Sequence, residues 1–205
     1  DLWAQDLGLV VADRDGLTRA MGKLVNQGSV MLSSDYPLPQ LPEDMRLHAR
    51  PQEADLVITA AAEIKTTGTL LYAKALVAGI GCNRNTPAEE IDQALRQACR
   101  ENNLALQSVA RLASIDLKMD EQGLLTFAET HGLPLDFFNR DQLNGVDGVS
   151  SSAVVLRAIG AKGVAEPAAV LASGGGNLLV KKMKWPGVTV AIAEITDPFR
   201  GQDQG

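Results

Sequence analysis

Leu76-Val77-Ala78-Gly79-Ile80-Gly81-Cys82-Asn83-Arg84-Asn85-Thr86-Pro87 is the stretch whose reading decides the fold of this chain. It opens as an apolar run, which predicts a buried strand, and passes through glycines into a polar turn. It ends on a helix start, with Thr86 as N-cap, Pro87 as the first helical residue and Glu89 closing a capping box. A strand, a sharp turn and a helix N-terminus then meet at one place. Free N–H groups and the positive end of the helix dipole favour an anion there, and Arg84 adds a charge suited to a carboxylate. The competing reading is an ordinary strand–helix connection whose glycines serve only the turn.

On either side the pattern alternates. Upstream, Asp1 to Leu9 reads as a short helix and Asp13 to Gln27 as a longer one, with Leu17, Ala20, Met21, Leu24 and Val25 in one stripe and Gly28 as its stop. Val30 to Leu32 and Asp55 to Ala62 read as strands. Pro37, Pro39, Pro42 and Pro51 discourage long regular structure between them. A strand from Leu70 to Ile80 opens the second part, followed by a helix from about Pro87 to Asn102. Its Ile91, Ala94, Leu95, Ala98 and Cys99 are spaced to pack on a sheet. Next come a strand from Gln107 to Ile115, a helix from Lys118 to His131, and a strand from Leu135 to Phe138. Helices follow at Ser151 to Ile159 and Pro167 to Ala172. Strands at Leu178 to Lys181 and Val188 to Ile195 flank the turn Trp185-Pro186-Gly187. The expectation is an α/β fold of two three-layer units, with mostly parallel sheets and helices on both faces. Residues 1–66 form a partial central domain and 67–205 a C-terminal one. Ligands in such sheets bind beyond the carboxyl ends of the strands.

The composition narrows the function. The chain has 205 residues, 45% of them hydrophobic and 21% charged, as in ordinary globular domains. Aromatic residues are 4% and the formal net charge is −6, which argues against nucleic acid as a partner. No apolar run reaches the length of a membrane span and no signal peptide is visible. Cys82 and Cys99 give no disulfide framework. A cytoplasmic protein is expected. The opening Asp1-Leu2-Trp3 lacks a starting methionine and reads as part of a processed or incomplete chain.

Several blocks together are familiar. Gly79-Ile80-Gly81-Cys82-Asn83-Arg84 with Thr86-Pro87 and Glu89-Glu90 comes first. Leu112-Ala113-Ser114-Ile115-Asp116, Lys118, Asp120-Glu121 and Gly123-Leu124 follow, then Val164-Ala165-Glu166, Ala168-Ala169, Lys181 and Thr189-Val190-Ala191-Ile192-Ala193. In this order they resemble the cobalt-precorrin-5A hydrolase family of cobalamin biosynthesis, CbiG-like, and its single-domain relatives of the CobE type. The N-terminal domain of the long members, with its His-Glu-Gly-Gly-type segment, is absent from this sequence. Asn83 and Asn85 stand where the family often has Arg and Gly, and Pro167 where it usually has Ala.

The resemblance implies a tetrapyrrole substrate whose lactone is opened with release of acetaldehyde. Cobalt would be carried by the substrate, with no cofactor of the protein's own. It leaves a homodimer, or contact with other corrin-pathway enzymes, as further partners. The macrocycle's acidic arms need several anion-binding points. Gly81, Cys82, Asn83, Arg84, Thr86, Ser114, Lys118, Ser152 and Lys181, with Lys182 beside it, are the candidates. Lactone opening needs an activated water, for which Glu166 and Glu121 are candidate bases.

Each residue has a plainer reading beside this one. Glu166 and Glu121 suit the first turn of a helix. Lys118 suits a solvated surface, and the serines at 150–152 suit a helix cap. Cys82 is a candidate nucleophile only if a helix end lowers its pKa. His48 and His131 lack metal-ligand spacing. Ser173-Gly174-Gly175-Gly176-Asn177 lacks the ending of a phosphate loop and reads as a turn. The rivals to hydrolysis are a non-catalytic corrin-binding or carrier module, and a flavodoxin-like nucleotide binder.

Overall fold

The computed structural model describes residues 2–150, 156, 160–161 and 163–200. The chain divides into two compact units, 1–74 with 103–108 and 197–205, and 75–102 with 109–196.

The first unit contains α1 (Leu2–Asp6), β1 (Val10–Val11), α2 (Arg14–Gln27), β2 (Val30–Ser34), β3 (Met45–Leu47), β4 (Leu56–Thr59) and β5 (Thr69–Tyr72). Its sheet has the order β1-β5-β4-β2-β3, parallel except for β1 at one edge. The Asp13 carboxylate caps α2 by accepting from Asp15 and Gly16 N–H, and Gly28 ends it in the left-handed conformation. Val25, expected in the buried stripe, instead faces solvent. β3 forms inside the proline-rich stretch, a short strand the sequence did not announce.

The second unit contains β6 (Leu76–Cys82), α3 (Ala88–Glu101), β7 (Val109–Ile115), α4 (Gln122–Thr130), β8 (Leu135–Phe138), α5 (Arg140–Asn144), α6 (Ala165–Ala172), β9 (Leu178–Lys184) and β10 (Val188–Glu194). The sheet order is β8-β7-β6-β10-β9. β6, β7 and β8 run parallel, whereas β10 is antiparallel to both β6 and β9. The α/β expectation holds, with mixed sheets. The short Trp185-Pro186-Gly187 connection can only make a hairpin, which forces the antiparallel edge.

Two expectations need correction. The single strand expected from Leu70 to Ile80 is two strands, β5 and β6, which belong to different sheets. Ala73-Lys74-Ala75 separates them, so the contact boundary falls after Lys74 and not at 66/67. Residues 103–108 also join the first unit. There Asn103, in the left-handed conformation, exchanges hydrogen bonds with the Glu63 backbone. The helix expected at Ser151 to Ile159 lies outside the described residues apart from Leu156.

Side chains alternate across β6. Val77 joins Ala113, Ile115, Leu143, Ala161 and Ala168 in a core on the face that carries α6. Gly79 lies on that face too. A Cβ there would meet the Ala165 carbonyl oxygen at 1.9 Å, so only glycine lets α6 lie this close. α3 packs on β10 and against α4, burying the five residues its spacing predicted.

Candidate functional site

The carboxyl ends of β6, β7 and β9, with the start of β10, enclose a cavity of about 680 Å³. That volume suits a sizeable small molecule. It opens where ligands of parallel sheets bind. Its wall contains Gly81 to Arg84, Ile115, Leu117, Lys118, Ser150, Gly163 to Pro167, Lys182, Lys184, Trp185 and Gly187 to Thr189.

Gly81 faces the same side of β6 as Gly79. A Cβ there would make only ordinary contacts, with the Thr189 Cβ at 3.7 Å and the Val164 Cβ at 3.8 Å. The fold therefore tolerates a side chain at Gly81, and its absence widens the cavity. Cys82 borders the same space. Burial raises its thiol pKa, Lys118 and Arg84 lower it, Glu121 raises it, and the net shift is upward. A protonated thiol is a poor nucleophile at neutral pH.

Among the described residues, four cations line the cavity. Arg84 is 57% exposed, pairs with Asp120, and donates to the Leu117 carbonyl at 3.0 Å. The Arg84–Asp120 hydrogen bond and the Arg84 charge hold the Asp120 carboxyl below its ordinary value. The Lys118 side chain is 14% exposed and lies 3.3 Å from the Glu121 carboxylate. Lys182 donates to the Ser150 carbonyl at 3.3 Å. Lys184, at the exposed end of β9, completes the set. Lys181, singled out from the sequence, is absent from the wall, because alternation along β9 turns it to the other face. Lys184 was missed, although it stands two residues beyond Lys182.

The two candidate bases behave differently from expectation. Glu121 is 2% exposed and does not line the cavity. Its oxygens accept the Asn85 N–H at 2.6 Å and face Lys118 and Arg84 at 3.3 and 3.6 Å. It pins the 83–87 turn, whose Asn85 has a φ of 60°. Glu166 does line the cavity, as the one carboxylate among the described wall residues. Its oxygens accept the Ser150 N–H, the Ser150 hydroxyl at 3.2 Å and the Lys182 N–H at 2.9 Å. Burial alone would raise its pKa. The Lys182 and Ser150 donors and the Lys182 charge outweigh burial, and the net shift is downward.

Three further expectations are corrected. Thr86 does not cap α3; Pro87 occupies that position. The Thr86 hydroxyl is buried and has two carbonyls to serve, Asn83 at 3.0 Å and Gly187 at 3.3 Å. The α3 N-terminus is covered by Gly123, where a Cβ would lie 1.9 Å from the Thr86 carbonyl oxygen, and it does not line the cavity. The helix start in the wall belongs to α6. Ser114 is fully buried, its hydroxyl donating to the Ile80 carbonyl at 2.7 Å. Ser152 lies outside the described residues.

The family described as "Cobalamin synthesis G C-terminus" matches residues 76–193, the segment that builds this cavity. The chain belongs to that family. Among curated relatives, a cobalt-precorrin-5A hydrolase of Priestia megaterium is 31% identical over 216 residues, 95% of this chain and 58% of the relative. Protein CobE of a Sinorhizobium species is 31% identical over 121 residues, 58% of this chain and 79% of that protein. The crystal structure of a CobE from the cobalamin pathway has a TM-score of 0.55 at 36% identity, covering 58% of this chain and 89% of the other. A protein G homolog from Sulfolobus solfataricus covers 94% of this chain and 58% of its own, with a TM-score of 0.50 at 16% identity, a likeness of fold alone. The chain spans 58% of the hydrolase relative's length. Among the described residues, no helix is long and apolar enough to cross a membrane.

Proposed function

We propose that this cobalamin-synthesis chain acts within a cobalt-precorrin-5A hydrolase, and that its cavity holds the tetrapyrrole while the lactone is opened and acetaldehyde is released. One observation carries the reading. Among the described residues of its wall, four cations accompany a single carboxylate in a cavity of ligand size, in a chain whose overall charge is −6. A ring bearing many acidic arms is matched by several separated charges, and focusing in a concave wall strengthens each of them. Gly81 leaves room for the ring edge, and Ile115, Leu117, Val164 and Val188 supply apolar contact. Cobalt enters as part of the substrate.

In this reading Arg84, Lys118, Lys182 and Lys184 receive carboxylates. Glu121 is a positioning residue that sets Lys118 and the Asn85 backbone. Glu166 is ionised at neutral pH but already serves three donors, so it holds the wall together and is a weak base. The protein is tested by incubation with cobalt-precorrin-5A and assay of released aldehyde, beside calorimetric titration with cobalt(III) cobyrinic acid, a corrin heptacarboxylate. Binding with aldehyde release supports hydrolysis. Binding without it favours the carrier reading. Absence of corrinoid binding removes the proposal.

A further inference from the structure

Thr189 lines the cavity and takes no part in the charge matching above. It lies on β10, directly opposite Gly81 on β6 and Lys184 on β9. Residues paired in this way share a face of the sheet. The three form one row across the cavity floor, with Thr189 between the space left at Gly81 and the charge of Lys184. The contacts of Gly81 agree with this, since a Cβ there would have the Thr189 Cβ at 3.7 Å and the Val164 Cβ, at the start of α6, at 3.8 Å.

The Thr189 hydroxyl is free. Among the described residues it has no hydrogen-bond partner, and it is not shut away from solvent on its half-buried residue. The other neutral donors of the wall differ. The Ser150 hydroxyl donates to Glu166 at 3.2 Å, and the Trp185 indole N–H donates to Gln97 at 2.9 Å. Asn83 is fully exposed, and the Cys82 thiol is a weak donor. Thr189 is thus a neutral donor set in the floor among cations. Ionised arms gain most beside the cations. An uncharged carbonyl is the acceptor that suits the hydroxyl, and in a lactone substrate the ester carbonyl is such a group.

We propose that Thr189 is a catalytic contact that donates to the lactone carbonyl oxygen. This rests on the hydrolase reading and adds to it the group that meets the reacting bond. In the opening step the oxygen of a water bonds to the carbonyl carbon. The C=O π pair moves onto the carbonyl oxygen, where the Thr189 hydroxyl stabilises the developing charge. The pair then returns and the ring C–O bond breaks. The departing alkoxide takes one proton of the water, and the other passes to solvent as the new acid ionises. One water is consumed, and nothing is oxidised or reduced.

The test compares wild type, Thr189→Ser, Thr189→Val and Thr189→Ala. Aldehyde release from cobalt-precorrin-5A gives kcat and KM, and calorimetric titration gives the affinity for cobalt(III) cobyrinic acid, which has no lactone. Thr189→Val and Thr189→Ala are expected to lower kcat about a hundredfold, the scale of one lost oxyanion donor, with KM little changed. Thr189→Ser is expected to keep most of the activity. All four proteins are expected to bind cobyrinic acid equally, a result that a merely structural role would not give. Wild-type turnover in Thr189→Val or Thr189→Ala overturns the role of Thr189 alone. So does a loss of cobyrinic acid affinity as large as the loss of turnover. Should Thr189→Val not fold, Thr189→Ala and Thr189→Ser decide by the same criteria. Wild-type protein that binds the corrinoid without releasing aldehyde overturns the hydrolase reading, and the Thr189 contact with it.

Discussion

Gly79 and Gly81 stand two residues apart on one strand and point to the same face, yet they answer to different needs. At Gly79 the backbone of α6 occupies the place of a side chain, with the Ala165 carbonyl oxygen 1.9 Å from where a Cβ would sit. At Gly81 a Cβ meets nothing closer than 3.7 Å, and the free space is the cavity. One glycine lets a helix approach a strand; the other leaves a wall open. A motif that looks uniform in sequence is thus divided between fold and site, and the same division separates Glu121 from Glu166 and Lys181 from Lys184.

The largest effect is expected at the fold side. Gly79→Ala should cost about 3 kcal/mol or prevent folding, because backbone must move to admit the methyl group. Thermal denaturation should show a midpoint lowered by about 10 °C. A midpoint equal to wild type would erase the contrast between the two glycines.

Glu166 comes next. Glu166→Gln replaces one accepting oxygen with an NH₂ group among donors from Ser150 and Lys182, and should cost about 1–3 kcal/mol. The sign with pH follows from its lowered pKa. A folded-state value below the unfolded one adds stability at pH above the unfolded value, and that stability is lost as pH falls through the folded value. Wild type should therefore lose stability on acidification below about 4.5, the ordinary glutamate value, and Glu166→Gln should lose less over the same range. Denaturant midpoints measured across that range check this, and parallel curves would remove Glu166 as the group responsible.

Smaller effects sharpen the contrast on β9. Lys184→Ala should weaken corrinoid binding about threefold, the scale of an exposed charge contact, and flatten its salt dependence. Lys181→Ala should do neither, since its side chain points to the other face. Equal effects at both positions would contradict the face assignment.

Much of the architecture was legible beforehand. The 3.6-residue spacing of Ile91, Ala94, Leu95, Ala98 and Cys99 fixed the buried face of α3, and Leu135–Phe138 appeared as expected, because periodicity and punctuation are local signals. The split between β5 and β6 was hidden because Thr69 to Ile80 is apolar nearly throughout; only Lys74 marks the break. The site was half legible. Gly81 to Arg84 and Lys118 do meet in one wall, since turns that follow parallel strands gather at one end of the sheet. Thr86 and Ser114 stand in the right turns, yet their hydroxyls are engaged by backbone carbonyls, a choice set by tertiary contacts. Trp185 and Lys184 reach the cavity through the pairing of β10 with β6, a long-range register that local pattern does not encode.

The central claim is that the space left open by Gly81 is where the ring docks. Calorimetric titration of cobalt(III) cobyrinic acid into wild type and Gly81→Val tests it most directly, with thermal midpoints measured alongside. Wild type is expected to bind, and Gly81→Val to lose at least about tenfold in affinity while keeping a wild-type midpoint, since valine suits a strand. Undiminished affinity in a folded Gly81→Val protein would contradict the claim.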